Sequence, residues 1–281
     1  MRDLVAADLA KLKKDKFFWF AFFLMLVWSV MQLLAPLIEA LQYRDLELPA
    51  LDTLFVQYYP LIGGLCAIQT GLFIGREYSD GTIRNKVIAG HSRSTIYLSN
   101  LVVTTAAGWF LDLAWITPML LLGIPLFGLF SSPLTIAAYT LASLFVIAAL
   151  TAVFTAFAML ITNKTNSSIS IICVFLFMMM LGSACYNQLC EPEFIQGGDI
   201  VVAEGGNVSM EKLETQANPA YVSGDTRKIL TFVRDFLPTG QAIQMSNEEE
   251  IDLPIFLMYS SSIILLSTCT GVAVFRKKDL K

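Results

Sequence analysis

The residues best suited to chemistry lie in one polar strip, GREYSDGTIRNKVIAG (75–90), between two long apolar runs. Charged side chains of both signs occur close together there, at Glu77, Asp80, Arg84 and Lys86. Asp80-Gly81 is a turn signal, and Thr82 is predicted to cap a short helix over 83–89. Ser92 is predicted to cap the third span. A short helix that carries both signs of charge suits docking into a groove through charge-assisted hydrogen bonds. We expect these charged side chains to be free to meet a partner.

Other kinds of chemistry lack the residues they need. One His and five Cys, with no Cys-x-x-Cys pair, provide no zinc site, so we expect no metal and no catalytic group. The motif G-x-x-x-x-G-K-[ST], whose backbone cradles nucleotide phosphates, does not occur in the sequence. We therefore expect no cofactor in this chain and no enzymatic activity of its own. Cys185 and Cys190 are close enough for a local disulfide, and both the bridged and the free form stay open.

The composition is that of a membrane protein. Of the 281 residues, 56% are hydrophobic and 15% are charged, and the mean hydropathy is +0.63. A soluble domain carries about 25% charged residues. The predicted fold class is an all-α polytopic membrane protein, with membrane lipids and not nucleic acid as its surroundings.

Six stretches are long and apolar enough to cross a bilayer, which takes about 20 residues of helix. They lie near 17–38, 54–74, 98–123, 134–162, 169–187 and 253–275. The six helices leave a large extracellular insertion before the last one. The predicted organisation is an interfacial helix (1–16), two spans (17–74), a cytoplasmic segment that contains the polar strip (75–95), three spans (96–187), an extracellular loop (188–252), the last span (253–275) and a tail (276–281).

The distribution of Lys and Arg predicts the orientation of these spans. Six crossings put both termini on the same side of the membrane. Fourteen of the nineteen Lys and Arg residues fall on that side, in short segments close to the spans. Short loops rich in Lys and Arg stay in the cytoplasm. Both termini and the polar strip are therefore predicted to be cytoplasmic.

The first sixteen residues, MRDLVAADLAKLKKDK, have the pattern of an amphipathic helix. Leu4, Val5, Leu9 and Leu12 fall on one face, with Lys residues on the other. Such a helix is expected to lie along the inner leaflet, where Lys and Arg gain about 1 kcal/mol each from anionic lipids. The alternative is a charged tail that only satisfies the orientation rule.

Asp112 is an ionisable residue about halfway along the third predicted span. A carboxylate at this depth costs about 3 kcal/mol on insertion scales, so it is expected to face the interior of the bundle. It either lines a translocation pathway or accepts a hydrogen bond from a neighbouring Thr, Trp or Tyr. The sequence does not choose between these roles.

The extracellular loop is long enough to be partly folded. In TRKILTFVRDFLPTGQAIQ (226–244), a helix ended by Pro238 is predicted, with apolar residues on one face. Those residues are Ile229, Leu230, Val233, Phe236 and Leu237. This helix is expected to lie across the outer mouth as a cap or gate. The alternative is a docking site for substrate or a partner.

A family resemblance emerges at the polar strip. The pattern Glu77-x-x-x-Gly81-Thr82-x-Arg84, placed between the second and third spans, resembles the coupling segment of ATP-binding-cassette (ABC) permeases of the type-2 exporter class. An N-terminal elbow helix, six spans, an Asn163-Lys164 inner loop and a large external insertion are similar to that family's layout. The resemblance covers the whole chain in layout and about 25 residues in motif.

The resemblance implies a function. Glu77, Asp80, Gly81, Thr82 and Arg84 would form the element that couples the spans to a separate cytoplasmic ATPase. Two copies of that ATPase would bind ATP and Mg, and the permease would pair with itself or with a second permease in a cell membrane, most naturally a bacterial plasma membrane. The complex would move a hydrophobic or amphipathic substrate outward, such as a peptide, a bacteriocin or a drug-like molecule.

Two other functions stay open at this point. A ligand-sensing receptor or scaffold would use the extracellular loop to bind its ligand. A secondary carrier would use Asp112, although such carriers usually have several intramembrane charges or helices broken in repeated halves.

Overall fold

The computed structural model of this protein describes residues 1–43, 48–197, 200–202, 208–210 and 214–278. The predicted tail (276–281) is therefore described only as far as residue 278, and the extracellular loop (188–252) only in part. The helices are α1 (Arg2–Leu12), α2 (Lys16–Gln42), α3 (Leu51–Val56), α4 (Tyr59–Ser79), α5 (Thr82–Ile88), α6 (Arg93–Pro118), α7 (Ile124–Phe127), α8 (Pro133–Leu160), α9 (Lys164–Cys190), α10 (Gly224–Phe236), α11 (Pro238–Ser246) and α12 (Leu253–Lys277). Four short strands are β1 (Phe194–Gly197), β2 (Ile200–Val202), β3 (Val208–Met210) and β4 (Glu214–Ala217).

Six of the helical segments are long and apolar enough to cross a membrane, which confirms the predicted all-α class and the number of spans. They are Lys16–Gln42, Leu51–Ser79, Arg93–Phe127, Pro133–Leu160, Lys164–Cys190 and Leu253–Lys277. The third span runs through Pro118 and a short π-helical segment, Met119–Gly123, before it ends at Phe127. Gly128, with a φ of +92°, then turns the chain toward α8.

Two of the spans form the centre of the bundle. In the second and fourth spans, 61% of the 18-residue apolar stretch is buried inside the protein, against 22% in the first, fifth and sixth spans. Gly108 on α6 lets this helix approach α8, because a β-carbon there would lie 2.5 Å from Ile147 Cγ2. Hydroxyl pairs join the same two helices, Thr104 to Thr155 at 3.1 Å and Thr105 to Thr151 at 2.8 Å.

The segment before the last span is partly folded, as predicted. β1 pairs with β4 and β2 pairs with β3, both antiparallel. The predicted helix is observed as α10, but Ile229 on its expected apolar face is 61% exposed. Leu230, Val233 and Phe236 are partly buried, and Leu237 lies after the end of the helix. Ile229 therefore stays exposed on the apolar face, because α9, α11 and α12 cover only part of that face.

Pro238 begins a further helix, which the sequence analysis did not predict. In α11, every residue from Pro238 to Met245 is buried. The helix contacts α9, α4 and α8 and thus lies inside one end of the bundle. Gly182 on α9 makes this approach possible, because a β-carbon there would lie 3.1 Å from the backbone nitrogen of Gly240.

The end of the last span is held at the other end of the bundle. The Arg93 guanidinium, at the start of α6, donates a hydrogen bond to the Arg276 carbonyl at 3.0 Å and another to the Lys278 carbonyl. The Lys278 ammonium donates to the hydroxyl of Tyr78 at 2.9 Å and to the carbonyl of Met159 at 2.8 Å. The end of α12 is thereby tied to α4, α6 and α8.

The Lys278 contact generates a pH prediction. Burial lowers the pKa of the Lys278 ammonium from 10.5 to about 8, because desolvation penalises the charged form. The amine should therefore become neutral and nucleophilic about two pH units earlier than an ordinary Lys. Acylation of the folded protein across a pH series, followed residue by residue with mass spectrometry, should give a midpoint near pH 8 for Lys278. A midpoint at the ordinary lysine value, or one that does not move upward in the unfolded protein, contradicts the contact.

Candidate functional site

The polar strip forms a helix–turn–helix corner between the second and third spans. Gly81 begins α5 with a φ of +65°, a left-handed conformation that favours glycine. A β-carbon there would have nothing within 4 Å, so glycine is needed at this position for the backbone conformation and not for close packing. Thr82 was predicted to cap α5, but Gly81 occupies the cap position and no side chain caps the helix. Ser92 does cap α6, because its hydroxyl accepts a hydrogen bond from the backbone nitrogen of Thr95 at 3.2 Å.

The centre of this corner is a buried ammonium group. The side chain of Lys86 on α5 is 8% exposed, and its Nζ lies 2.7 Å from Glu77 Oε2 on α4. The same Nζ lies 2.9 Å from Asp8 on α1, a side chain with no exposed surface. A buried charge is tolerated where opposite charges and hydrogen bonds replace its hydration. Lys86 therefore joins three separate elements at one point.

Two further side chains complete this cluster. Lys11 on α1 donates to Glu77 Oε1 at 2.7 Å, and Ser99 on α6 donates to Asp8 Oδ2 at 2.8 Å. The two carboxylates thus face two ammonium groups, so the formal charge is balanced. We refer to Asp8, Lys11, Glu77, Lys86 and Ser99 as the anchor cluster.

The expectation that Glu77 and Lys86 are free to meet a partner was wrong. Both side chains are buried, and both are paired within the chain. The physical reason is long-range: Asp8 is 78 residues from Lys86, and Lys11 is 66 residues from Glu77. The sequence did contain one signal, because Asp8 lies on the same helical face as Leu4 and Leu12, which are buried with it. An acid inside an apolar stripe needs a buried partner.

A second ion pair ties the same corner to the first span. The Arg76 guanidinium on α4 pairs with Asp15, which also caps α2 by accepting from the backbone nitrogen of Phe17 at 2.9 Å. Gln69 Nε2 lies 3.3 Å from the same carboxylate. The turn between α1 and α2 is therefore fixed against the second span. Sequence reasoning did not single out Asp15, Arg76 or Gln69.

Several other residues of the strip lie at the surface. Asp80 and Arg84 are exposed, Gly81 and Thr82 are partly exposed, and Ile88 is 73% exposed. A cleft of about 310 Å³ lies beside them, between α1 and the end of α4. Lys11, Lys14, Asp80 and Thr82 contribute to its walls. Four of the predicted coupling residues thus lie at the surface, whereas Glu77 is buried and pairs with Lys86 of α5.

Asp112 lies in a different place, within the bundle. Its side chain is 1% exposed, Oδ2 accepts from Ser143 Oγ at 3.0 Å, and Oδ1 accepts from the Tyr58 hydroxyl. The Tyr58 ring stacks on Trp115, with a centroid distance of 4.9 Å. The arrangement matches the second role considered for Asp112, a carboxylate that accepts hydrogen bonds from its neighbours. Tyr58 and Ser143 were not identified from the sequence.

Two sequence predictions remain, one for α10 and one for the cysteines. Phe236 on α10 packs with Phe232 and with Tyr259 of the last span, at ring distances of 5.5 and 5.7 Å. Cys185 is buried and Cys190 is exposed, and both are free thiols.

The comparison with protein-family models places this architecture in a known family. Residues 4–182 match the model described as ABC-2 family transporter protein. The chain belongs to the ABC-2 transporter family. The match covers well over half of the 281 residues and includes the whole anchor cluster. No curated protein matches the chain.

Membership in the ABC-2 family agrees with the resemblance found at the polar strip. The protein is a multi-pass membrane permease of an ABC transporter, and the family implies association with a cytoplasmic ATPase. The matched region ends at Gly182 on α9, so the strands, α10, α11 and α12 lie beyond it.

The anchor cluster generates a stability prediction. Lys86→Met removes the buried ammonium and leaves Glu77 and Asp8 close together without their shared partner. Breaking a buried ion pair in this way costs about 3–5 kcal/mol. Thermal unfolding of the purified permease in detergent should show a clear loss of stability.

Arg84→Met is the matched control, because it removes a positive charge from the exposed face of the same helix. Its unfolding temperature should stay close to that of the wild type, since exposed charges contribute about 0–1 kcal/mol. Equal losses in the two variants would show that Lys86 is not the buried anchor described above.

Proposed function

We propose that this ABC-2 permease converts ATP hydrolysis by a separate cytoplasmic ATPase into outward movement of a hydrophobic or amphipathic substrate. Peptides, bacteriocins and drug-like molecules are the classes that fit best, because Asp112 is satisfied internally and the spans are otherwise mostly apolar. ATP and Mg would be bound by the partner, since the permease sequence has no phosphate-binding loop. The permease chain itself would therefore not be an enzyme or carry a cofactor.

The observation that carries this proposal is the exposed face of α5, a helix whose opposite face is fixed to the bundle by buried ion pairs. Arg84 and Ile88 lie one turn apart on α5 and point away from the bundle, and Asp80 precedes them. Beneath them, Lys86 joins α5 to α1 and α4, and Asp8 extends the connection to α6. A force applied to α5 by an ATPase would therefore reach the first three spans instead of bending a flexible loop.

Charge and the positions of α1, α5 and Lys278 support one orientation of the complex. α1, α5 and Lys278 all lie at one end of the bundle. Fourteen of the nineteen Lys and Arg residues belong to this end in the predicted topology. We place it in the cytoplasm, in a bacterial plasma membrane, so that α10 and α11 lie on the extracellular side.

The proposed assembly contains two permeases and two ATPases. Six spans in one chain correspond to half of the membrane part expected by resemblance to type-2 exporters, so a homodimer or a heterodimer with a second permease would complete it. Across that assembly, α10 and α11 would act as an extracellular gate, because α11 inserts among α4, α8 and α9. The secondary-carrier alternative has less support, since both Asp112 oxygens are already hydrogen bonded. The receptor alternative has less support because the chain belongs to the ABC-2 transporter family.

The ATPase contact is tested by co-purification. Arg84→Glu reverses the charge of the exposed face of α5 and leaves the anchor cluster intact, so the ATPase that co-purifies with the tagged permease should fall by roughly tenfold, which corresponds to about 1.4 kcal/mol. Quantitative mass spectrometry of the detergent-solubilised complex measures the ratio of ATPase to permease.

Lys228→Glu is the matched control. Lys228 is 81% exposed on α10, at the opposite end of the bundle, so the same charge reversal there should leave the ATPase ratio unchanged. An unchanged ratio in Arg84→Glu, or an equal fall in both variants, counts against α5 as the contact. Failure to recover a stoichiometric ATPase with the wild type counts against the exporter itself.

A further inference from the structure

An apolar groove lies at the corner between α1 and the first span, on the opposite side of α1 from the cleft beside α5. Its volume is about 740 Å³. One wall is α1, where Ala6 and Ala10, one turn apart, leave room that larger side chains would fill. The other walls come from Phe22 on α2 and Phe110 on α6.

The end of this groove is closed by a fixed corner. Trp19 Nε1 donates to the Lys13 carbonyl at 2.8 Å, which holds the turn between α1 and α2 in place. Phe18 forms the base, where it is 5% exposed and meets Phe110 edge to face at a ring distance of 6.4 Å. Tryptophan at this position is typical of the boundary between the hydrocarbon and the lipid headgroups. The groove is therefore apolar along its length and polar at one end.

The charge at the polar end indicates what the groove holds. Lys13 lines the groove, is exposed, and forms no ion pair within the described part of the chain. Lys11 differs because it pairs with Glu77, and Lys14 differs because it lines the cleft beside α5. An occupant with a long apolar portion and a negative charge at one end matches both features of the groove.

We propose that this groove binds one anionic phospholipid, with an acyl chain between α1 and the first span and its phosphate at Lys13. The lipid completes the packing of α1 against α2 and α6, next to the residues that fix the coupling corner. A helix at the membrane interface binds through buried apolar area together with attraction to anionic lipid. Lipid binding in this groove requires neither a particular substrate nor the ATPase.

The test measures which lipid the purified permease retains. The wild type is delipidated in detergent, titrated with phosphatidylglycerol or phosphatidylcholine of the same acyl chains, and observed by native mass spectrometry. One tightly retained phosphatidylglycerol per permease is expected, with phosphatidylcholine bound at least several-fold more weakly. Equal affinity for the two lipids overturns the proposal, because it would show that only the acyl chains, and not the headgroup, are recognised.

Two substitutions separate the headgroup contact from general charge. Lys13→Gln should weaken phosphatidylglycerol binding about fivefold, the equivalent of the ~1 kcal/mol that one Lys contributes near an anionic membrane surface. Lys14→Gln removes the same charge from the next residue, which lines the cleft beside α5 instead, and should change binding by less than twofold. Equal effects of the two substitutions overturn the assignment of the phosphate to Lys13.

A third substitution tests the groove itself. Ala10→Trp fills the space along α1 and should abolish the tightly bound lipid, while phosphatidylcholine binding stays weak. Ala6→Leu is made in parallel as a smaller filling of the same wall, so that the test does not depend on one bulky variant. Each variant is compared with the wild type by size-exclusion profile and unfolding temperature. Retention of the lipid by well-folded filling variants overturns the proposal.

Discussion

The buried ammonium group of Lys86 sets the arrangement of one whole end of this permease. Burying an unpaired charge costs more free energy than a single favourable interaction contributes. A buried charge therefore needs oppositely charged partners that are held beside it. Here those partners are Asp8 and Glu77, from two different helices. The interaction therefore requires α1, α4 and α5 to be present together, and Ser99 brings α6 into the same arrangement.

This requirement explains why a short helix can act as part of a rigid body. A seven-residue helix has little stability of its own in water. α5 is held because Ile83 and Lys86 are buried beneath it, while Arg84 and Ile88 remain outside. The two roles of the strip, anchoring and contact, are thus divided between opposite faces of the same helix. The Arg76–Asp15 pair adds a separate connection from α4 to the first span.

The opposite end of the bundle depends on close backbone packing. α11 inserts among α4, α8 and α9, where Gly182 and Gly240 allow main chains to approach. Its polar groups are satisfied internally: Thr239 donates to the Met178 carbonyl at 2.7 Å, and Gln241 accepts from Ser260 at 2.8 Å. The end that is proposed to open and close thus differs in chemistry from the end that is proposed to receive force.

Local patterns in the sequence determined the class of protein, the six spans, the short helix after Asp80-Gly81, the cap at Ser92 and the amphipathic character of α10. Each of these depends on hydrophobic periodicity, length or turn chemistry within a few residues. The structure alone decided that Glu77 and Lys86 are buried, that Asp8 joins them, that Tyr58 and Ser143 satisfy Asp112, and that α11 lies inside the bundle. The reason is physical: a sequence pattern states which face of a helix is apolar, but α1 meets Glu77, Lys86 and Ser99 only when segments 66 to 91 residues apart are brought together.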